Sequence, residues 1–388
     1  MKIDSFDKLA FIDLPIQPWR GWGNYAKYLC ISLLNQRIAF PITPFEGVKT
    51  TSCSYEWGIF LDAINRLSKE MDACQFYNRK LTADLGFYGF GNVNSYNESV
   101  YNFLPGKKKI AIIFFEVESL DEPYISFLKK FDLVVTGSVW NKNTLKKQGL
   151  KNLCNIMQGV DISYFNPTET PKLLGEKFII FSGGKLELRK GQDILISCFK
   201  EFLKVCPNAL LICSWVNDSD SFLDMKESQY VKGAPISGSP EDIENWILEQ
   251  GIPRENFLVP GTLNSIQLAI LIKNAKLSIF PNRCEGGTNL LAMESLCCGI
   301  PTAISINSGH LDLMRLGLSG IIPLKCIPID KANIRSEGLC NHWSEIDRFY
   351  LLDLMIKFYK EPELLDFYKN KIDNKMLNEL TWEFSFNK

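Results

Sequence analysis

The sequence predicts an α/β protein built from two doubly wound domains. Three observations predict it: strand-like apolar runs alternate with helical ones along the chain, the alternation falls into two sets divided by a polar stretch, and 388 residues at 46% apolar content suffice for two cores.

The first set holds the strand-like runs LAFIDL, RIAFPI, KIAIIFFE and FDLVVTG, with helical spacing over 23–34, 55–71 and 120–130. Residues 76–107 are rich in aromatic residues, asparagine and glycine and read as loop-heavy, either a wall of an acceptor pocket or an irregular insert. The polar stretch NPTETPKLLGE over 166–176 reads as a linker, which sets the domains at 1–170 and 171–388. In the second set, KFIIFSG, NALLICSW, NFLVPG, KLSIFP, PTAIS and GIIPL alternate with helical segments at 190–204, 241–250 and 265–274. Folds of this kind bind ligands at the carboxyl ends of their strands, and two such domains facing each other leave a central cleft there.

Composition excludes several classes. A formal charge of −1 argues against a nucleic-acid binder. No apolar run is long enough to span a membrane, and Asp4, Asp7 and Asp13 stand where a signal peptide would be apolar, so the expected setting is the cytoplasm. The 12 cysteines include no CxxC pair, and Cys30, Cys198, Cys213, Cys297 and Cys298 sit in apolar segments as small core residues. Only His310 and His342 could complete a zinc site. Over 106–152, nine lysines against five acidic residues leave a net +4. That surplus reads either as a solvated face or as a patch holding the first domain near an anionic membrane or a lipid-linked acceptor.

The stretch PNRCEGGTNLLAMESLCCGIP (281–301) carries the densest chemistry. A strand leads into a loop, Thr288 is the expected N-cap, and Gly299 is the expected C-cap of the helix that follows. Free N–H groups at such a helix start suit a phosphate, and Gly286 and Gly287 let a ligand approach the backbone. Glu285 and Glu294, as acceptors, suit hydroxyls instead, so a sugar joined to a phosphate is the ligand class. The alternative is a turn with two solvated glutamates. In FSGGKLELRKGQDIL, Gly183 and Gly184 form a tight turn before Lys185, while Lys190 and Gly191 open the next helix. Two ammonium groups there could neutralise a diphosphate as its charge develops.

Three further patterns offer competing chemistry. GWGNYA (21–26) fits G-x-G-x-x-A, but PIQPWR separates it from its strand, which a dinucleotide site does not allow. Asp218 and Asp220 lack a third carboxylate for a metal. His310, in SGHLDL, either donates to a phosphate or sugar hydroxyl or bonds locally.

Taken together, GGKLELRKGQD, QGVDISYFNP and NRCEGGTNLLAMESLCCGIP resemble, in order and spacing, the retaining glycosyltransferases of family 4, which have the GT-B fold. RGWGNYAKYL is similar to that family's glycine-rich acceptor loop, with Gly21, Trp22, Gly23 and Asn24 on the acceptor side. Glu116 and Glu118 of FFEVES, at the end of a first-domain strand on the acceptor side, either orient the acceptor hydroxyl or accept its proton, or serve as caps or salt-bridge partners. The resemblance implies that Lys185 and Lys190 hold the donor diphosphate, with Lys185 standing where the family usually has arginine. It implies that Glu285 contacts the donor sugar and Glu294 the nucleotide ribose. Gly183, Gly184, Gly286, Gly287, Thr288, Asn289 and Leu290, with Thr262 and Leu263 beyond NFLVPG, complete the implied donor set. Here eight residues stand between the glutamates where the family has seven, so the loop absorbs one more. The implied activity needs no metal and no cofactor, only a nucleotide-sugar donor and a saccharide, lipid-linked or protein-linked acceptor. The end of the chain, around LTWEFSFNK, is implied to cross back to the first domain. Rival readings are a phosphorylase or sugar-nucleotide epimerase of the same fold, and a silent nucleotide-sugar binder.

Overall fold

The structure, a computed structural model, describes residues 6–14, 21–40, 60, 73–92, 101–215, 217, 220–329, 343–370, 372 and 374–386. The helix expected at 55–71 lies outside them apart from residue 60. The chain divides into two compact units, Met1–Gly159 with Trp382–Lys388, and Val160–Thr381.

In the first unit, β1 (Lys8–Asp13), β2 (Ile38–Ala39), β3 (Leu85–Phe90), β4 (Lys108–Ile113), β5 (Leu133–Thr136) and β6 (Leu153–Asn155) pair in the order β2-β1-β3-β4-β5-β6. All five pairings are parallel. Such a sheet is covered on both faces, which is why its strands read as unbroken apolar runs. Ala10, Ile12, Ile112 and Val135 pack with Tyr25, Ala26 and Leu29 of the helix Gly21–Asn35. Phe11, Ala111, Ile113 and Val134 face the other way, toward Tyr124, Phe127 and Leu128 of the helix Glu122–Leu128. The final helix, Trp382–Phe386, belongs to this core: Trp382 stacks on Tyr28 with ring centroids 4.9 Å apart.

The loop-heavy reading of 76–107 gives way here, because that segment contains β3, an inner strand. Glycine lowers strand propensity, which hid LGFYGF, yet the packing demands it. A Cβ at Gly86 would lie 2.4 Å from the Pro105 carbonyl oxygen, and one at Gly89 would lie 2.7 Å from Leu14.

In the second unit, β7 (Phe178–Gly184), β8 (Ala209–Trp215), β9 (Phe257–Leu258), β10 (Leu277–Phe280), β11 (Thr302–Ser305) and β12 (Ile321–Leu324) form a parallel sheet in the order β12-β11-β10-β7-β8-β9. A short antiparallel pair, β13 (Cys326–Pro328) with β14 (Ser344–Ile346), follows. Its helices start where their caps dictate. Ser239 accepts from Asp242 N ahead of Pro240–Glu249, and Asn264 with Gln267 makes a capping box ahead of Ser265–Asn274. The helices Arg348–Lys360 and Pro362–Lys369, unassigned from sequence, add Leu351, Met355, Phe358 and Leu365 to the core.

This order has a functional consequence. From β7 the chain moves outward to β8 and β9, then returns to the other side of β7 for β10, β11 and β12, so strand order reverses between β7 and β10. Loops leaving the carboxyl ends of those two strands part at that point, the position where open α/β sheets hold ligands. No helix among the described residues is long and apolar enough to cross a membrane.

Candidate functional site

The two loops at the switch point are built to touch. After β7 the backbone turns at Gly184 (φ +115°), runs through a 3-10 turn, Leu188–Lys190, and turns again at Gly191 (φ +71°). A Cβ on Gly191 would lie 2.1 Å from the Pro281 carbonyl oxygen, so only glycine lets the loops meet. Arg283 N then donates to Arg189 O at 2.7 Å.

Across that seam the charged side chains converge on one oxygen. Lys190 Nζ donates to Glu285 Oε2 at 2.6 Å, Asn282 Nδ2 donates to it at 2.6 Å, and Arg189 approaches it at 3.4 Å. Arg189 also donates to Cys284 O and to Glu187 Oε2. Glu285 is buried. Burial alone would raise its carboxyl, but Lys190 and Arg189 outweigh that and hold it at about 2. Glu187 shows the same balance: burial opposes, yet Arg189, Lys190 and Lys185 keep it below the usual carboxylate range. Lys185 follows Gly184 directly, is half-buried, and its carbonyl accepts from Gln192 Nε2.

Beneath this cluster lies a group the sequence reading missed. Arg283, 1% exposed, donates to both carboxylate oxygens of Asp193 at 2.8 Å and through Nε to Glu345 Oε2 at 3.1 Å. Tyr230 and Ser228 hydroxyls donate to the same two acids. Burial disfavours the Arg283 cation, but Asp193 and Glu345 reverse that and raise it above its ordinary value. The clamp joins the Lys190 loop, the Glu285 loop and β14. Adjacent charges in RKGQD and NRCE were its only sequence trace.

The helix after β10, Leu290–Cys297, starts one residue later than expected. Its N-cap is Asn289, not Thr288, and the Thr288 hydroxyl instead donates to Met293 Sδ at 3.0 Å. Asn289 has φ +62°, a left-handed turn that also aims its amide at His310, 3.1 Å away. His310 is fully buried, and burial with Lys190 nearby outweighs the pull of Glu285 and lowers it to about 4. Since the Asn289 amide nitrogen only donates, Nε2 accepts and Nδ1 carries the proton, which it gives to Ser305 O. His310 therefore bonds locally. Gly286 and Gly287 are buried in this loop, and a Cβ on Gly309 would lie 1.7 Å from Gly287 O.

Glu294, in the second turn of that helix, is 5% exposed, and its Oε2 has no hydrogen-bond partner among the described residues. Burial, reinforced by Asp161, pushes its carboxyl well above its ordinary range. A buried polar atom without a partner is costly. Leu290 is half-buried, Leu263 is half-buried and Thr262 is exposed, both of the latter just before the Ser265–Asn274 helix.

In the first unit, Gly21, Trp22, Gly23 and Asn24 form the first turn of the helix Gly21–Asn35 and not a loop. The Trp22 ring meets Phe114 edge-on at 4.8 Å. Glu116 exchanges two hydrogen bonds with Asn92, and Glu118 is exposed. Asp218 lies outside the described residues, and Asp220 is exposed. Among the described residues no group of three His, Cys, Asp or Glu side chains is arranged to hold a metal.

No protein-family model matches the chain, and no curated protein matches it. Solved structures do. The chain aligns with HepE from Anabaena in complex with UDP-glucose at TM-score 0.67 and 11% identity, over 98% of this chain and 97% of that one. The fold is GT-B. Sucrose-phosphate synthase from Thermosynechococcus elongatus aligns at TM-score 0.65 and 14% identity over 97% and 96% of the two chains. A glycosyltransferase from Rickettsia africae ESF-5 aligns at TM-score 0.63 and 11% identity over 98% and 97%. Two parallel six-stranded sheets with flanking helices are thus the GT-B architecture expected from the sequence.

Proposed function

We propose that this GT-B protein is a retaining glycosyltransferase, moving a sugar from a nucleoside diphosphate donor to a hydroxyl of a saccharide, free or carried on a lipid or protein. The observation that carries the reading is the Lys190–Glu285 contact at the β7/β10 switch point, beside Gly183 and Gly184. A sugar diphosphate needs cations for its phosphates and acceptors for its hydroxyls within one sugar's width, and this seam supplies both.

In this reading the bond from the anomeric carbon to the diphosphate oxygen breaks, with its electron pair leaving on the diphosphate. The acceptor oxygen bonds the anomeric carbon on the face just vacated, and its proton passes to the departing phosphate. Lys190 and Lys185 stabilise the leaving charge, Glu285 holds the sugar hydroxyls, and Glu294, whose Oε2 has no partner among the described residues, takes the ribose hydroxyls. The transfer needs no metal. GT-B neighbours crystallised with UDP and with sugars support this assignment of ligand class.

The test is nucleoside diphosphate release from a panel of nucleotide sugars, with and without a pool of saccharide acceptors, in the presence of EDTA. Release that needs acceptor, with an axial-for-axial or equatorial-for-equatorial anomeric outcome by NMR, supports the proposal. Release that needs inorganic phosphate, epimerised donor without acceptor, or binding without release would replace it.

A further inference from the structure

Arg189 and Lys190 are adjacent cations on one 3-10 turn, and both reach the same Glu285 oxygen, at 3.4 and 2.6 Å. Their side chains are only 15% and 14% exposed, and that of Glu285 is 9% exposed. Cations this sheltered require a counter-charge, because removing one partner leaves the other charge desolvated and unpaired. Glu285 is that counter-charge. Glu187 completes the group through Arg189 at 2.8 Å, so these two cations and two carboxylates sum to zero. Cations already matched by carboxylates have less pull on an incoming diphosphate.

The carboxylate is also held lopsidedly. Lys190, Arg189 and Asn282 all donate to Oε2, and Oε1 accepts no hydrogen bond among the described residues. The Lys190 stem runs beside Gly184, with Cε 3.8 Å from where a Cβ would stand there, so the ammonium lies along the glycine turn a ligand would approach. A small sideways shift of the ammonium exchanges one anion for another.

We propose that Arg189 is a further diphosphate-binding residue, and that Glu285 stands in for the diphosphate in the empty site, giving up Arg189 and Lys190 when the donor arrives. The exchange rests on the donor-site reading above and adds an order of events to it. The diphosphate takes the two cations, and the released carboxylate turns to the sugar hydroxyls. Binding of the leaving group thereby arms the residue that positions the sugar.

Removing an acid from the site should therefore tighten one ligand and spoil turnover. Calorimetric titration with inorganic pyrophosphate and with UDP, at fixed ionic strength, would compare wild type, Glu285→Gln, Arg189→Gln and Lys190→Ala. Glu285→Gln should bind pyrophosphate about tenfold more tightly than wild type, because two cations lose an internal competitor, while sugar transfer falls. Arg189→Gln should bind both probes about tenfold more weakly for one lost charge-assisted contact. Circular dichroism melting would verify folding of each variant, and if Glu285→Gln does not fold, Arg189→Gln decides alone. Unchanged or weaker pyrophosphate binding in a folded Glu285→Gln, or wild-type affinities in Arg189→Gln, would overturn the exchange. In that case a loss of affinity in Lys190→Ala leaves the donor site standing. Absence of binding by both probes, to wild type and to folded Glu285→Gln alike, overturns the donor site itself.

Discussion

Lys190 Nζ and Glu285 Oε2 lie 2.6 Å apart, although 95 positions separate the two residues along the chain. The sheet order brings them together: β7 and β10 are neighbours, and each residue sits on the loop leaving one of those strands. A cation and a carboxylate therefore share one seam.

Glu294 Oε2, buried and without a hydrogen-bond partner among the described residues, leads to a binding prediction. Because a ribose is present in both the donor and the released nucleotide, Glu294→Ala should weaken both alike, by about 1 to 3 kcal/mol for one lost hydrogen bond. Calorimetry with the nucleoside diphosphate and with the intact donor checks this. A loss confined to the donor would move Glu294 to the sugar.

Two buried groups make stability depend on pH. His310, brought from 6.5 to about 4 mainly by burial, is protonated more readily in the unfolded chain. Its contribution is complete above pH 6.5 and is lost as pH falls toward 4, on the order of 3 kcal/mol at most. Glu285, brought from 4.5 to about 2, is likewise protonated more readily unfolded, so its contribution is present above 4.5 and fades as pH falls toward 2. Urea denaturation from pH 7 to 4 should show a falling midpoint in wild type and a flatter profile in His310→Asn. Parallel profiles would contradict the burial account.

Arg283 should matter for folding before it matters for chemistry. Arg283→Ala strands Asp193 and Glu345, 0% and 2% exposed, without their cation, and should cost about 3 to 5 kcal/mol. The denaturation midpoint would report it. A change below about 1 kcal/mol, the scale of an exposed pair, would mean that the clamp is solvated.

How much of this was legible in the sequence follows from range. Apolar runs such as NALLICSW declare a strand covered on both faces, and β8 is buried throughout. Lys190 and Glu285 stood out because charges beside paired glycines at strand ends are locally unusual. Arg283 did not, because a buried arginine looks like any other until Asp193 and Glu345 are folded around it. The same holds for β3, whose Gly86 and Gly89 read as loop residues until Pro105 and Leu14 are seen to fill the missing Cβ positions. The N-cap falls at Asn289 because its left-handed turn and its bond to His310 are tertiary choices that cap propensities do not encode.

The central claim is that the Lys190 seam stabilises a departing diphosphate. Initial rates of sugar transfer by wild type and Lys190→Ala, on a donor shown to bind, test it most directly. The account predicts a loss of roughly two to three orders of magnitude in turnover, the scale for removing one preorganised transition-state contact. Lys185→Ala should lose a similar or smaller factor. Wild-type turnover in Lys190→Ala would contradict the account.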